Sequence, residues 1–256
     1  MILRMIRTVT ATRYVTPLRE GGSLPGLVEA DDDGLYVVKF RAAGQGRKAL
    51  VAEMLVGELA RACGLPVPEL VLVAIDPLLG RTEPDPEINE LITGSGGINC
   101  GLDFLPGAFD YNPAVSGELD ALRASEIVWF DALTTNVDRT ARNPNLLVWH
   151  HQVWLIDHGA AIYQHHAARE LAARAREPFP LIRDHVLLPL ATRLRDADTR
   201  LAQRLTPAAV QAAVAAVPSE WLGEDPPAER AVYVEYLLDR LEGRVFLTDA
   251  EAARGA

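Results

Sequence analysis

The chain has 256 residues, 49% hydrophobic and 23% charged, with 25 basic against 35 acidic side chains and a formal net charge of −10. That balance suits one compact unit or two closely packed lobes and argues against a broad electrostatic grip on nucleic acid or an anionic membrane, so an anionic ligand must be met by local positive groups. Cys63 and Cys100 sit in apolar neighbourhoods and form neither a CxxC pair nor a zinc-ligand spacing. Arg4, Arg7 and Arg13 interrupt the opening MILRMIRTVTATRYVT, so a signal peptide is not expected there, and no apolar run is long enough to predict a membrane span. A cytoplasmic protein is the expectation.

In chain order, TVTATRYV alternates as a strand, REGGSLPG is turn-rich, and LVEA, the turn DDDG and LYVVKF complete a small antiparallel sheet. KALVAEMLVGELARAC has helical spacing and closes at Gly64, with Pro66 just beyond; VLVAI then reads as a further strand. Residues 77 to 117, rich in Gly, Pro and Asp, hold the crossover between lobes. Beyond it come ELDALRASEIVWFDALTT, a long helical segment around ARELAARAR that reads as solvated, TPAAVQAAVAAV, and PPAERAVYVEYLLDRLEG. Thr206 and Asp225, each before a proline, mark two helix starts, and Gly243 marks a stop. Strands gathered ahead of helices predict an α+β fold.

Between the helix ending in ALTT and the later helices lies TTNVDRTARNPNLLVWHHQVWLIDHG, residues 134 to 159. Its two apolar runs, NLLVW and VWLI, flank a turn at His150, His151 and Gln152 and fold back as a hairpin. The hairpin brings Asp138, Asn143 and Asp157 together, a set of oxygen donors suited to a hard cation such as magnesium. Phosphoryl transfer also requires a cation for the phosphates. Lys39 ends an apolar strand, where an ammonium is costly unless it faces an anion or a carboxylate. Glu53, on the helix face of Leu50, Met54 and Gly57, is the carboxylate chosen for it, since Glu58 can pair with Arg61 and stay solvated.

These residues resemble the protein-kinase-like enzymes and, within them, the HipA-like kinases, whose catalytic loop is similar to that of the phosphoinositide 3-kinases. The resemblance rests on VVKF with Lys39, the helix with Glu53, NVDRTARN with Asp138 and Asn143, the hairpin, and IDHG with Asp157, and spans roughly residues 20 to 160. It implies a bilobal kinase fold, with an N-lobe over 1–105 and a C-lobe over 106–256, and ATP and Mg2+ as cofactors. By the same resemblance Asp138 orients or deprotonates the acceptor, Asn143 and Asp157 bind magnesium, and Lys39 contacts ATP phosphates. Gly21, Gly22 and Ser23 would cover the phosphates with backbone amides, and Phe104 and Leu105 of GLDFLPG mark either the adenine hinge or an ordinary packed loop.

The chain departs from the pattern at Thr140, where lipid-kinase-like loops often carry histidine, and at His158, in place of the DFG phenylalanine. No Ala-Pro-Glu motif follows, and Tyr163 is the only side-chain hydroxyl between Asp157 and Thr192. Asn145 is an alternative metal ligand to Asn143; Arg139 and Arg142 either pair with nearby acids or reach a phosphate. His150, His151, His165 and His166 lack zinc-motif spacing and read as solvated. The expected activity is phosphoryl transfer to a serine or threonine hydroxyl of a protein. A small-molecule acceptor, or a nucleotide-binding regulator without turnover, are the rivals.

Overall fold

Alternating apolar and polar side chains build β1 (Arg7–Pro17), whose first half and second half find different partners. Residues 11–17 run antiparallel to β2 (Gly26–Ala30), whereas residues 7–10 run parallel to β4 (Leu70–Ile75). Register shifts between Ala11 and Arg13 and between Tyr14 and Thr16 bend the strand from one neighbour to the other. With β3 (Leu35–Lys39) and β5 (Gly97–Asp103) the strands close into a barrel of order β1-β2-β3-β5-β4. The expected small antiparallel sheet is therefore a mixed, closed one, and closure leaves these strands without a free edge. The computed structural model describes residues 6–18, 24–44, 46–112, 119–166 and 170–255.

Val9, Val28, Tyr36, Val38, Val71 and Val73 fill the barrel, and Ile88 and Ile92 of α2 (Pro86–Gly94) pack against them. Helix α2 starts on Asp85, whose carboxylate accepts from the Glu87 amide, with Pro86 in the first turn. Because Val38 points inward, Lys39 next to it points outward, toward α1 (Gly46–Cys63). Every residue of α1 from Ala49 to Ala60 is buried, so the helix is enclosed on all sides between the barrel and the helical part. Glu58 is buried with it, bonded to Arg61 Nε at 2.9 Å, and not solvated as expected. Gly64 ends α1 with φ of +72°, a conformation costly for other residues.

The C-terminal part comprises the short β6 (Phe109–Asp110), α3 (Ala121–Leu133), the hairpin β7 (Leu146–Trp149) and β8 (Gln152–Leu155), then α4 (Leu194–Ala202), α5 (Pro207–Ala215), α6 (Pro226–Gly243) and α7 (Val245–Gly255). Thr206 and Asp225 cap α5 and α6 as expected, and α6 ends at Gly243 as expected, with Arg244 at φ 49° as its left-handed C-cap. The described part of the segment around ARELAARAR, from Glu170 onward, is not a long helix. There are 3-10 turns at Tyr163–His166 and Ala172–Arg174, and Leu171 and Ala175 are buried. Arg240 takes the Ala175 and Glu177 carbonyls at 3.0 and 3.3 Å, and Asp249 takes the Phe179 amide at 2.6 Å; these tertiary bonds override alanine's helix preference. Among the described residues no helix is long and apolar enough to cross a membrane.

Candidate active site

Lys39 Nζ donates to Glu53 Oε2 at 2.6 Å and also to Asp157 Oδ1, joining β3, the centre of α1 and the end of the hairpin. The ammonium is nearly buried, Glu53 fully so, and the Asp157 side chain is 34% exposed. Burial alone would lower the pKa of Lys39; Glu53 and Asp157 outweigh it and hold the lysine above its ordinary range. Burial dominates at Glu53 and raises its pKa despite Lys39. At Asp157 burial is overcome by Lys39, so that carboxyl titrates below its usual range. Among the described residues Glu53 Oε1 has no hydrogen-bond partner within ordinary reach, although the His158 backbone amide faces the Glu53 carboxylate. A Cβ on Gly159 would stand at ordinary contact distance, 3.4 Å from Lys39 Nζ and 3.6 Å from Asp157 Oδ1, so this glycine borders the ion pair directly.

The second group lies at the hairpin's base. Asn143 Nδ2 and Asn145 Nδ2 both donate to Asp138 Oδ2, at 2.8 and 3.2 Å, and Asn136 Oδ1 accepts the Asp138 amide at 3.1 Å. The turn between β7 and β8 has two residues, His150 at φ 48° and His151 at φ 59°, the doubly left-handed turn that matches strand twist. Pairing continues past the strands, for the Ile156 amide donates to the Asn145 carbonyl at 3.1 Å. Asp157, next along and itself at φ 55°, is thereby set beside the asparagine that holds Asp138. The hairpin thus connects the two groups.

Beneath them runs a buried brace that sequence reasoning only half saw. Arg139, left open between an ion pair and a phosphate contact, is fully enclosed: its Nε bonds Asp131 Oδ2 at 2.6 Å, and its Nη1 bonds the Asn145 carbonyl and, at 3.4 Å, that of Ile156. His185 Nε2 lies 2.9 Å from the same Asp131 oxygen, while His185 Nδ1 accepts the Leu187 amide at 3.0 Å. That acceptor role requires the proton on Nε2, so a neutral His185 donates to Asp131. Burial would raise the pKa of Asp131, but Arg139 and His185 hold it well below the carboxylate range. His158 is buried against Phe130, its pKa lowered by burial to about 3, with Nδ1 3.5 Å from Arg139 Nη2.

Phe104 follows β5, its amide bonded to the Leu35 carbonyl at 2.9 Å; Leu105 is buried and lines a cavity with Trp149 and Trp154. Gly21, Gly22 and Ser23 lie outside the described residues. His165, expected to be solvated, is buried with Nδ1 3.0 Å from Tyr233 Oη. Sequence reasoning missed Asp131 and His185. The only available signal was an aspartate inside the apolar helix run EIVWFDAL, where a buried carboxylate demands donors.

A mixed barrel followed by helices, with a strand lysine between a helix glutamate and a post-hairpin aspartate, defines a kinase-like fold. The structure resembles the Helicobacter pylori proinflammatory kinase CtkA, with a TM-score of 0.56 and 14% identity over 89% of this chain and 94% of that one. It also resembles the Golgi casein kinase with Mn/ADP bound, with a TM-score of 0.48 and 14% identity over 93% of this chain and 73% of that one. No curated protein sequence matches this chain. Residues 12–248 match the HipA-like kinase family, and the chain belongs to that family. It is therefore a kinase-type phosphotransferase by family.

Proposed function

We propose that this HipA-like kinase transfers the γ-phosphate of ATP, with magnesium, to a serine or threonine hydroxyl of a protein, in a cleft between lobes formed by residues 1–105 and 106–256. One observation carries the reading: the Lys39 ammonium is shared by Glu53 and Asp157, the latter 118 positions away in the chain. Lys39 contacts the phosphates and Glu53 holds it in place. Asp138 receives both asparagine amides on Oδ2, and its other oxygen is assigned to orient or deprotonate the acceptor hydroxyl. Asn143 and Asp157 are the ligands for magnesium. Their hard oxygen atoms and the partial exposure of Asp157 fit that ion, which shares its coordination with phosphates and water. When bound, magnesium and ATP supply a charge-neutralised transferable phosphoryl group. Gly21, Gly22 and Ser23 are assigned to cover the phosphates, and Phe104 and Leu105 to the adenine end.

The test is magnesium-dependent ATP binding by thermal shift, followed by ATP consumption with and without cell extract. Asp157→Ala is expected to weaken metal-dependent binding. Asp138→Ala should bind normally and transfer nothing. An Asp138→Ala protein that turns over like the wild type would overturn the assignment, and wild-type binding with no phosphorylated product would make the chain a nucleotide-binding regulator.

A further inference from the structure

A cavity of about 280 Å³ lies where four parts of the chain meet: Ile6 just ahead of β1, the last turns of α1 with the connection to β4, the end of β5, and the β7–β8 hairpin. None of Lys39, Asp138, Asn143 or Asp157 lines it, although Leu105, assigned above to the adenine end, does. Its walls are fastened to one another, since Trp149 Nε1 donates to the Pro106 carbonyl at 3.0 Å and the Leu155 amide to the Pro66 carbonyl at 2.8 Å.

Trp149 and Trp154 form one wall, their rings 5.4 Å apart and nearly perpendicular. Trp154 Nε1 donates to the Trp149 carbonyl at 3.3 Å, so both indole N–H groups are already engaged. What the two rings still offer a ligand is π surface, which attracts cations. The charged lining points the same way: Glu58, Glu69 and Asp103 against the single base Arg61. Arg61 is bonded to Glu58, and Glu69 receives Arg7 Nε at 3.0 Å. The Asp103 carboxylate is exposed and makes no hydrogen bond or ion pair among the described residues. Partial burial, and then repulsion from Glu69, raise its pKa although Arg7 pulls the other way, a condition that a further cation relieves. An anion would be repelled here, and a neutral apolar molecule would desolvate Asp103 without compensation.

We propose that this cavity binds a small organic cation, an alkylammonium or alkylguanidinium, with its charge against Asp103 and its stem against the tryptophans. The site lies apart from Lys39, Asp138, Asn143 and Asp157 and shares only Leu105 with the residues assigned to the nucleotide, so it does not depend on the assignment of the phosphoryl-transfer residues.

Agmatine is a suitable probe and N-butylurea its uncharged counterpart, titrated into the full chain without nucleotide and followed by calorimetry and tryptophan fluorescence. Saturable binding of agmatine is expected, with butylurea much weaker, and Asp103→Asn should lower agmatine affinity about fivefold. Trp154→Phe, which keeps an aromatic face, should retain most of the affinity. No saturation by about 10 mM, equal binding of butylurea, or undiminished binding by Asp103→Asn would each overturn the proposal. With no nucleotide present, failure here leaves the kinase reading untouched, and failure of ATP turnover leaves this site untouched.

Discussion

Two ionic clusters stand side by side under the hairpin, and they are built to opposite ends. Around Asp131 every partner comes from the protein: Arg139, His185 and Asn136 donate to it, and Arg139 spends its remaining reach on backbone carbonyls. Around Lys39 the cluster is left open, with Glu53 Oε1 making no ordinary hydrogen bond among the described residues and Asp157 one-third exposed. A buried charge with all its partners is a brace, whose removal strands what remains. A charge cluster with an open side can exchange a partner for a ligand. The difference separates holding the loop that carries Asp138 from being open to a ligand.

Breaking the brace should have the largest effect. Arg139→Met leaves Asp131 buried without its main cation and frees the Asn145 and Ile156 carbonyls, so the expected loss is about 3–5 kcal/mol of stability, read by urea unfolding. A loss below about 1 kcal/mol would mean that the cluster is not the brace described. Lys39→Met should invert the pattern. Glu53, its pKa already raised by burial, can take a proton when the ammonium is gone, so the fold survives. Turnover should fall about 10²–10³-fold, the scale for losing one preorganised electrostatic contact. If Lys39→Met unfolds the chain while Arg139→Met does not, the two clusters have been assigned the wrong way round.

The open cluster was legible in the sequence and the brace was not, for a physical reason. Lys39, Glu53, Asp138 and Asp157 each sit in an unusual local setting: a strand lysine, a glutamate on a packed face, and acids flanking two short apolar runs. Arg139 has no such mark, because its burial depends on Asp131 from α3 and on a segment near His185 that no periodicity announces. The fold divides similarly. β1 to β3, α1 and the hairpin follow from local alternation and turn residues, whereas the parallel closure of β1 on β4 joins residues about 64 apart and leaves no local trace. Helix α2 lies inside the segment read as a loop-rich crossover and was missed, although Asp85 before Pro86 repeats the start signal used at Asp225. The stretch before α4 misled because alanine content favours a helix that Arg240 and Asp249 prevent.

A pH titration sharpens the contrast further. Burial lowers the pKa of His185 below its ordinary 6.5, although Asp131 pulls the other way and Arg139 adds to the lowering. Below about pH 6.5 the unfolded chain takes up a proton that the folded imidazole refuses, so this contribution is complete above that pH and declines as the pH falls. The decline is at most about 1.4 kcal/mol per pH unit. His185→Gln can still donate to Asp131 but does not titrate, so its stability curve between pH 4.5 and 6.5 should be flatter than the wild type's, by no more than that slope. Parallel curves would mean that His185 is protonated in the folded state.

The smallest expected effect decides between the two asparagines that share Asp138. Asn143 is exposed, while Asn145 is buried at φ 49° with its carbonyl held by Arg139 and Ile156. Asn145→Ala loses an amide bond and puts a Cβ residue without local hydrogen bonding into left-handed backbone, which costs about 1–2 kcal/mol of stability. Asn143→Ala should change stability by less than about 0.5 kcal/mol. If Asn143 is the metal ligand, its alanine variant will nonetheless need more magnesium for the same ATP-induced thermal shift, whereas Asn145→Ala will need no more than the wild type once its lower baseline is subtracted. The reverse result would move the ligand to Asn145, which belongs to the brace through its backbone and to the open cluster through its amide, and the boundary between the two would then run through a single residue.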